Sequence, residues 1–539
     1  MRNKIYLNEW LYLKPYNKQV STDFYYLKIC NEIWETFLSL PPDIRFSFPF
    51  FMDEDEFHLL SCFLTSYFED LVSGTNIWNA FVKKHQELYQ KPLPFYNVEE
   101  YYEEEINTQD IIFLIWYFLN SVQHEKFISP YNDFIEKVAF RIMEIFEREW
   151  EYAPENEHIR SYYQIDEDED DFYVARYLMG TIFLKTYLFH TDTFLTIVNG
   201  EEKLMDEYKE DDNLLMFVKE FRDDIVHNTH TQLLALRSSE WAALIIGNDH
   251  LLHKKFNELS LRITSFFLYK GQDDENVFIE HIASGKKFNL TKKSYDHGDS
   301  LKEIDTILYI SIVKWDGEWW FSGLQFIQPF NADLILDQKN SLNSRKTVDF
   351  LDYKTKEMQN TLELQYKAFL EFNNGQPIAF LPTDKMEAFI NNYIEYFNES
   401  LQLSEKQKKD AIQRLKNEGF LNPETSLIDF SEKGQTGLVF FNPKTGLEMA
   451  FDVNAAFSLP FNPYFNAEKS KESLFILFMD ESFSKELVMY CIDHSKNDLP
   501  FFQTAEGKMF LNNIDFLLQF WKKGNYYSKP SITLTGQKE

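Results

Sequence analysis

A chain of 539 residues with 86 acidic against 54 basic side chains carries a formal net charge of -32. That charge repels phosphate backbones and anionic membranes over the molecule as a whole. Aromatic residues make up 17% of the chain, 53 of them Phe, enough apolar surface for about three domains with large cores. The three cysteines, Cys30, Cys62 and Cys491, lie far apart, which excludes a CxxC zinc site or disulfide framework and fits a reducing cytosol.

The amino-terminal stretch lacks the apolar core of a signal peptide. The longest apolar run, Ile111 to Leu119, is about half the roughly 20 residues that cross a bilayer. The expectation is a cytoplasmic protein that does not engage a membrane. Residues 1–154 read as a helical domain. Ser21-Thr22-Asp23 offers an N-cap ahead of a helical face ended by Pro41-Pro42, Thr108 starts a buried helix through Val122, and Ser129-Pro130 starts another through Trp150. The segments Trp10-Leu11-Tyr12-Leu13-Lys14-Pro15-Tyr16 and Thr22-Asp23-Phe24-Tyr25-Tyr26-Leu27-Lys28 resemble an uncharacterised bacterial family of unknown function. The resemblance implies class and no chemistry.

Six consecutive acids, Asp166 to Asp171, lack the central Gly and distal Glu of an EF-hand and read as a solvated linker. Residues 172–270 read as a second helical block. At 274–330 the pattern changes: Val277 and Ile279, Phe288 and Leu290, then Ile307 to Ile312 alternate as half-buried strands do. Turns at Ser284-Gly285, His297-Gly298-Asp299 and Asp316-Gly317 separate them, the last being a strong hairpin signal. Four or five short strands in about fifty residues predict a small barrel, which leaves no open sheet edge. Its order of turns and the closing Asp316-Gly317-Glu318-Trp319-Trp320-Phe321-Ser322-Gly323 resemble the small barrels of uncharacterised bacterial proteins, some with a zinc-binding SEC-C tail. The SEC-C cysteine cluster does not occur here.

Asp337 to Asp352 reads as a linker, 353–420 as helical with Gly419 as C-cap, and 421–539 as a mixed α/β domain. In that last block Gly437 to Val453 predicts a hairpin, Leu474 to Met479 a strand and Phe483 to His494 a helix. The fold class is therefore α+β and predominantly helical, with an inserted small β-barrel and a mixed carboxyl-terminal domain.

The catalytic candidates are Arg222 and His227, in Phe221-Arg222-Asp223-Asp224-Ile225-Val226-His227. This pattern is similar to the signature of HEPN ribonucleases. The resemblance implies metal-independent RNA cleavage, with the His handling protons and the Arg steadying phosphate across a dimer interface. Positions five apart on a regular helix sit about 140° apart around its axis, so one copy does not focus both side chains on one phosphate. Asp223, His227 and His230, at i, i+4 and i+7, share a helical face as weak metal candidates, with Asp249, His250 and His253 approaching from the next helix. No phosphate-cradling or dinucleotide-binding glycine loop and no nucleophile elbow occurs, so no cofactor is called. In the barrel, Lys286, Lys287, Lys292 and Lys293 beside Trp319 and Trp320 form a candidate basic and aromatic face for a partner. The leading expectation is an intracellular multidomain interaction protein that binds a protein or nucleic-acid partner through the barrel, nucleic acid being disfavoured by net charge. The alternative is a HEPN-like ribonuclease of toxin or defence type. Oligomeric state is not legible.

Overall fold

The computed structural model describes residues 4–45, 54–96, 98, 100–123, 127–295, 300–341, 344, 356–401, 409, 435–524 and 526. The His297–Asp299 turn, most of the linker and the helical reading beyond residue 401 lie outside them. Helices predominate, with two separate sheets. The chain divides into two compact units, Met1–Arg262 with Lys314–Gly317 and Ile263–Val313 with Glu318–Glu539.

The first unit is helical because its apolar residues recur at helical spacing and its centre is apolar on all sides. Helix Thr108–Val122, at the predicted bounds, is buried from Asp110 through Ser121, as a core helix with no polar face must be. Trp116 within it donates its indole Nε1–H to the Ile128 carbonyl at 2.9 Å. Helix Asp23–Leu38 packs against Glu54–Ser73. The helix expected from Ser129 begins at Asp133 instead, behind Asn132 as N-cap. The acidic run lies inside this unit. Asp171 caps helix Phe172–Lys185 by accepting the Tyr173 N–H at 2.7 Å, an ordered role that the linker reading did not contain.

In the second unit, strands β1 (Ile263–Gln272), β2 (Asn276–His281), β3 (Lys287–Thr291), β4 (Ile307–Trp315) and β5 (Glu318–Gln328) close in the order β1-β2-β3-β5-β4. All described pairings are antiparallel except β3 with β5. The connection from β3 passes over the place of β5 to reach β4, and β5 then fills the gap beside β3, which makes this a Greek-key barrel rather than a meander. Its interior is filled by Phe267, Val277, Ile279, Phe288, Leu290 and Ile310, among others. At the β4–β5 turn Asp316 and Gly317 have φ of 47° and 82°, both in the left-handed region, as a two-residue hairpin of this hand requires. The barrel begins earlier than the sequence indicates. Ile263–Gln272, expected to be helical, is β1, and Phe267, Leu268 and Tyr269 are buried in succession. A strand covered on both faces shows no alternation to read.

Helix Ala332–Asn340 lays Leu334 and Ile335 against the outside of the barrel, over Leu268, Ile282 and Ile307. The remaining sheet runs β6 (Ile378–Pro382), β7 (Thr436–Asn442), β8 (Gly446–Phe451), antiparallel throughout. Helices Lys356–Phe372 and Met386–Ser400 pack on one face of it through Phe369, Tyr393 and Phe397 against Val439 and Phe441. The β7–β8 hairpin and helix Lys485–Ser495 match expectation. Leu474–Met479 does not: it ends helix Ser470–Met479, with Leu474, Leu477 and Phe478 buried at i, i+3 and i+4. An apolar run this short is ambiguous between strand and helix, and burial on one helical stripe resolved it.

Candidate binding site

The helix Leu214–Asn228 carries Arg222 and His227 on different sides. Arg222 is exposed, and its Nε–H and Nη2–H donate to the two Glu201 carboxylate oxygens at 2.7 and 2.9 Å. This fork-to-fork pair uses the guanidinium face that would hold a phosphate. His227 is 1% exposed, and its Nδ1–H donates to the Asp223 carbonyl at 2.7 Å. Burial, with the Arg262, Arg176 and Arg237 charges nearby, pushes its pKa down to about 3. The imidazole is therefore held neutral in a dry site, with little capacity to trade protons near neutrality.

Asp223 is ion-paired with Arg176, and His230 is half-buried, its backbone forming an isolated antiparallel β-bridge with that of Arg237. The His250 Nε2–H donates to the Ile165 carbonyl at 3.0 Å, and Nδ1 of His253 lies 2.9 Å from the Ala243 carbonyl. Among the described residues no group of three or more His, Cys, Asp and Glu is placed to hold a metal ion.

In the barrel, Lys287 is exposed and sits opposite Glu280 in the β2–β3 register, while Lys293 pairs with Glu318 at 2.9 Å. Lys286 and Lys292 are half-buried. Trp319 packs edge-on to Phe288, with centroids 4.8 Å apart, against the barrel core. Trp320 is 3% exposed. Lys287 and Lys293 thus sit against acidic partners, Trp319 packs on the barrel core, and Trp320, on the other face of β5, is buried as well.

Two features of the first unit had no such prominence in the sequence. One is a buried polar network. Lys14 is ion-paired with Glu69, both side chains being fully buried, and its ammonium lies 3.6 Å from the Trp10 ring centroid. Asn156 Nδ2–H₂ donates to Glu69 at 2.8 Å and to the Tyr16 hydroxyl at 3.1 Å. The Tyr16 hydroxyl and the Trp10 indole N–H both donate to Asp23 at 2.9 Å. The residues of the Trp10–Tyr16 and Thr22–Lys28 segments thereby converge on one constellation. A buried charge pair is retained more readily for fixing geometry than for stability, since its desolvation cost rivals its attraction.

The other feature is a groove directly beyond that network. The Asn156 N–H donates to Ser73 Oγ at 3.0 Å, and the Arg160 Nε–H to the Ser73 carbonyl at 2.6 Å. Ser73 is followed by Gly74, Thr75 and Asn76, which form a wall with Arg160. The adjoining Asp70, fully buried, accepts the Ile77 and Trp78 N–H groups at 3.2 and 2.8 Å and the Tyr187 hydroxyl at 2.9 Å. Burial raises its pKa above the usual carboxylate value. Asp166, Glu167, Glu169, Ile245 and His250 line the same space, about 680 Å³ in volume. Its size falls in the range of ligand sites. His250 accepts the Leu252 N–H on Nδ1 at 3.1 Å, which leaves the Nε2 proton to tie down the Ile165 carbonyl. The motif residues were legible in the sequence as family resemblance. Glu69 and Asn156 carried no local signal, because their role exists only once segments far apart in the chain meet.

Fold and site together define a mostly helical α+β protein of two units, with a walled groove in the first and a Greek-key barrel in the second. Residues 4–280 match the family described as "Protein of unknown function (DUF3843)", and the chain belongs to that family. No curated protein and no solved structure matches the chain. Among the described residues no helix is long and apolar enough to cross a membrane.

Proposed function

We propose that this is an interaction protein, and that its partner site is the groove of the first unit in preference to the barrel face read from the sequence. The observation that supports this is the placement of the buried network. The network fixes Ser73 to Asn76 and Asn156 to Arg160, segments that line the groove of about 680 Å³. A pre-organised wall lowers the ordering cost that association would otherwise incur. Val174, 40% exposed, lines this groove and Tyr177, 64% exposed, lines the smaller space that adjoins it, apolar surface of the kind that marks a contact site.

The test is a photo-crosslinking amino acid in place of Tyr177 in the native cells. The expected result is a discrete adduct that disappears when Val174→Asp is added and does not form from the exposed Tyr152 position. Adduct formation indifferent to Val174→Asp would count against the groove.

The ribonuclease alternative requires Arg222 and His227 to leave the partners they hold. Purified wild type and His227→Ala are expected to leave RNA equally intact. RNA cleavage by wild type that His227→Ala abolishes would restore that reading.

A further inference from the structure

The groove has a second lobe, and its chemistry narrows the partner. A smaller space of about 190 Å³ is lined by Tyr162, Ile165, Val174, Tyr177 and Leu178. It shares Ser161, Gln164, Ile165 and Val174 with the larger space, so the two form one continuous surface. One end is apolar and aromatic. The other is walled by acids on the turn before helix Phe172–Lys185.

The charges at the acidic end are unbalanced. Asp166 and Glu167 are exposed, and Glu169 is half-buried with one oxygen accepting the Asp171 N–H at 2.9 Å. The one arginine lining the groove, Arg160, donates Nη2–H to Glu155 at 2.7 Å, so its charge is already answered. Both ring nitrogens of His250 are engaged with backbone, Nδ1 with the Leu252 N–H and Nε2 with the Ile165 carbonyl. The apolar end presents Tyr177 and Val174 outward from one helix face, three residues apart, the spacing at which side chains are helix neighbours. Aromatic faces beside carboxylates also favour cations through the ring quadrupole.

Resting on the reading of the groove as a partner site, we infer that its occupant is a basic peptide segment of another protein, with an apolar anchor in the Tyr162–Tyr177 lobe and Lys or Arg side chains toward Asp166, Glu167 and Glu169. Charge complementarity selects the basic partner, and the adjoining apolar lobe selects a peptide over a small diffusible cation.

The experiment uses the purified full chain and fluorescence anisotropy with three labelled pools of 12-residue peptides. The first is basic with one Leu or Phe, the second is its charge-reversed counterpart, and the third is basic without apolar residues. Spermidine is the small-cation arm. Binding is expected for the first pool only, weakened at least tenfold by Asp166→Asn/Glu167→Gln/Glu169→Gln, by Val174→Asp, and by raising salt. Circular dichroism of both variants should match wild type, since the altered positions lie at the surface. Equal binding of the charge-reversed pool, or indifference to the triple variant, overturns the basic class. If Val174→Asp still abolishes that binding, the groove itself survives as a partner site. Spermidine competing as strongly as the first pool overturns the peptide. No binding by any pool overturns the inference altogether.

Discussion

The same short segments of the first unit carry two kinds of residue with opposite properties. Glu69 and Asn156 are sealed inside and locked to Lys14 and Tyr16. Asn76 and Arg160, only a few residues further on, line an open groove. The contrast separates two jobs that sequence proximity merges: one set holds backbone in place, and the other meets whatever enters. It also accounts for the Arg222–His227 helix, where residue types suited to catalysis are consumed by Glu201 and by burial.

The largest effect that tests this contrast is the removal of one member of the buried pair. Lys14→Met leaves the Glu69 charge sealed without a counter-ion, which typically costs about 3–5 kcal/mol. Denaturant melts should show that loss, and Lys14→Met/Glu69→Leu should recover much of it. If the double variant is stable yet the groove no longer binds, the network's role is positional. An undiminished groove in that variant would break the link between them.

Asp110 sharpens the point by pH. It is fully buried, accepts from the Tyr67 and Tyr101 hydroxyls at 2.8 and 3.0 Å, and burial raises its pKa to about 7. A carboxyl raised in the fold contributes stability fully present below its unfolded pKa near 4 and lost as pH rises through the folded value. Stability should therefore fall between about pH 4 and 7 through this group, and Asp110→Asn should flatten that part of the profile. His227, depressed to about 3, acts in the opposite sense: its contribution is present above pH 6.5 and is lost as pH falls toward 3.

The smallest effect belongs to the rim. Tyr177→Ala, at a site 64% exposed, should change stability by no more than about 0.5 kcal/mol while weakening partner binding. A loss of stability matching that of Lys14→Met would erase the distinction between bracing and lining residues.

Much of the fold was legible because period and turn chemistry are local. Thr108–Val122 follows from an apolar run with an N-terminal cap signal, and the β4–β5 hairpin from Asp316-Gly317, whose positive φ angles are what that dipeptide supplies. β1 and the helix at Leu474–Met479 were misread because an element buried on both sides, or an apolar run of six residues, does not show its period. For the site, Trp10, Lys14, Tyr16 and Asp23 stood out as segments of a family, whereas the face built around Trp319 and Trp320 depended on where side chains point.

By itself the sequence determined composition, helical class, the barrel's later strands and the presence of an acidic run, all properties of neighbours along the chain. Only the tertiary structure decided that Lys14 meets Glu69 across 55 residues, that Asn156 joins them, and that the acidic run lines one groove with Asn76 and Arg160. The physical reason is that access, desolvation and charge pairing are set by residues distant in sequence, so the same side chain is a brace or a binding group according to what packs around it.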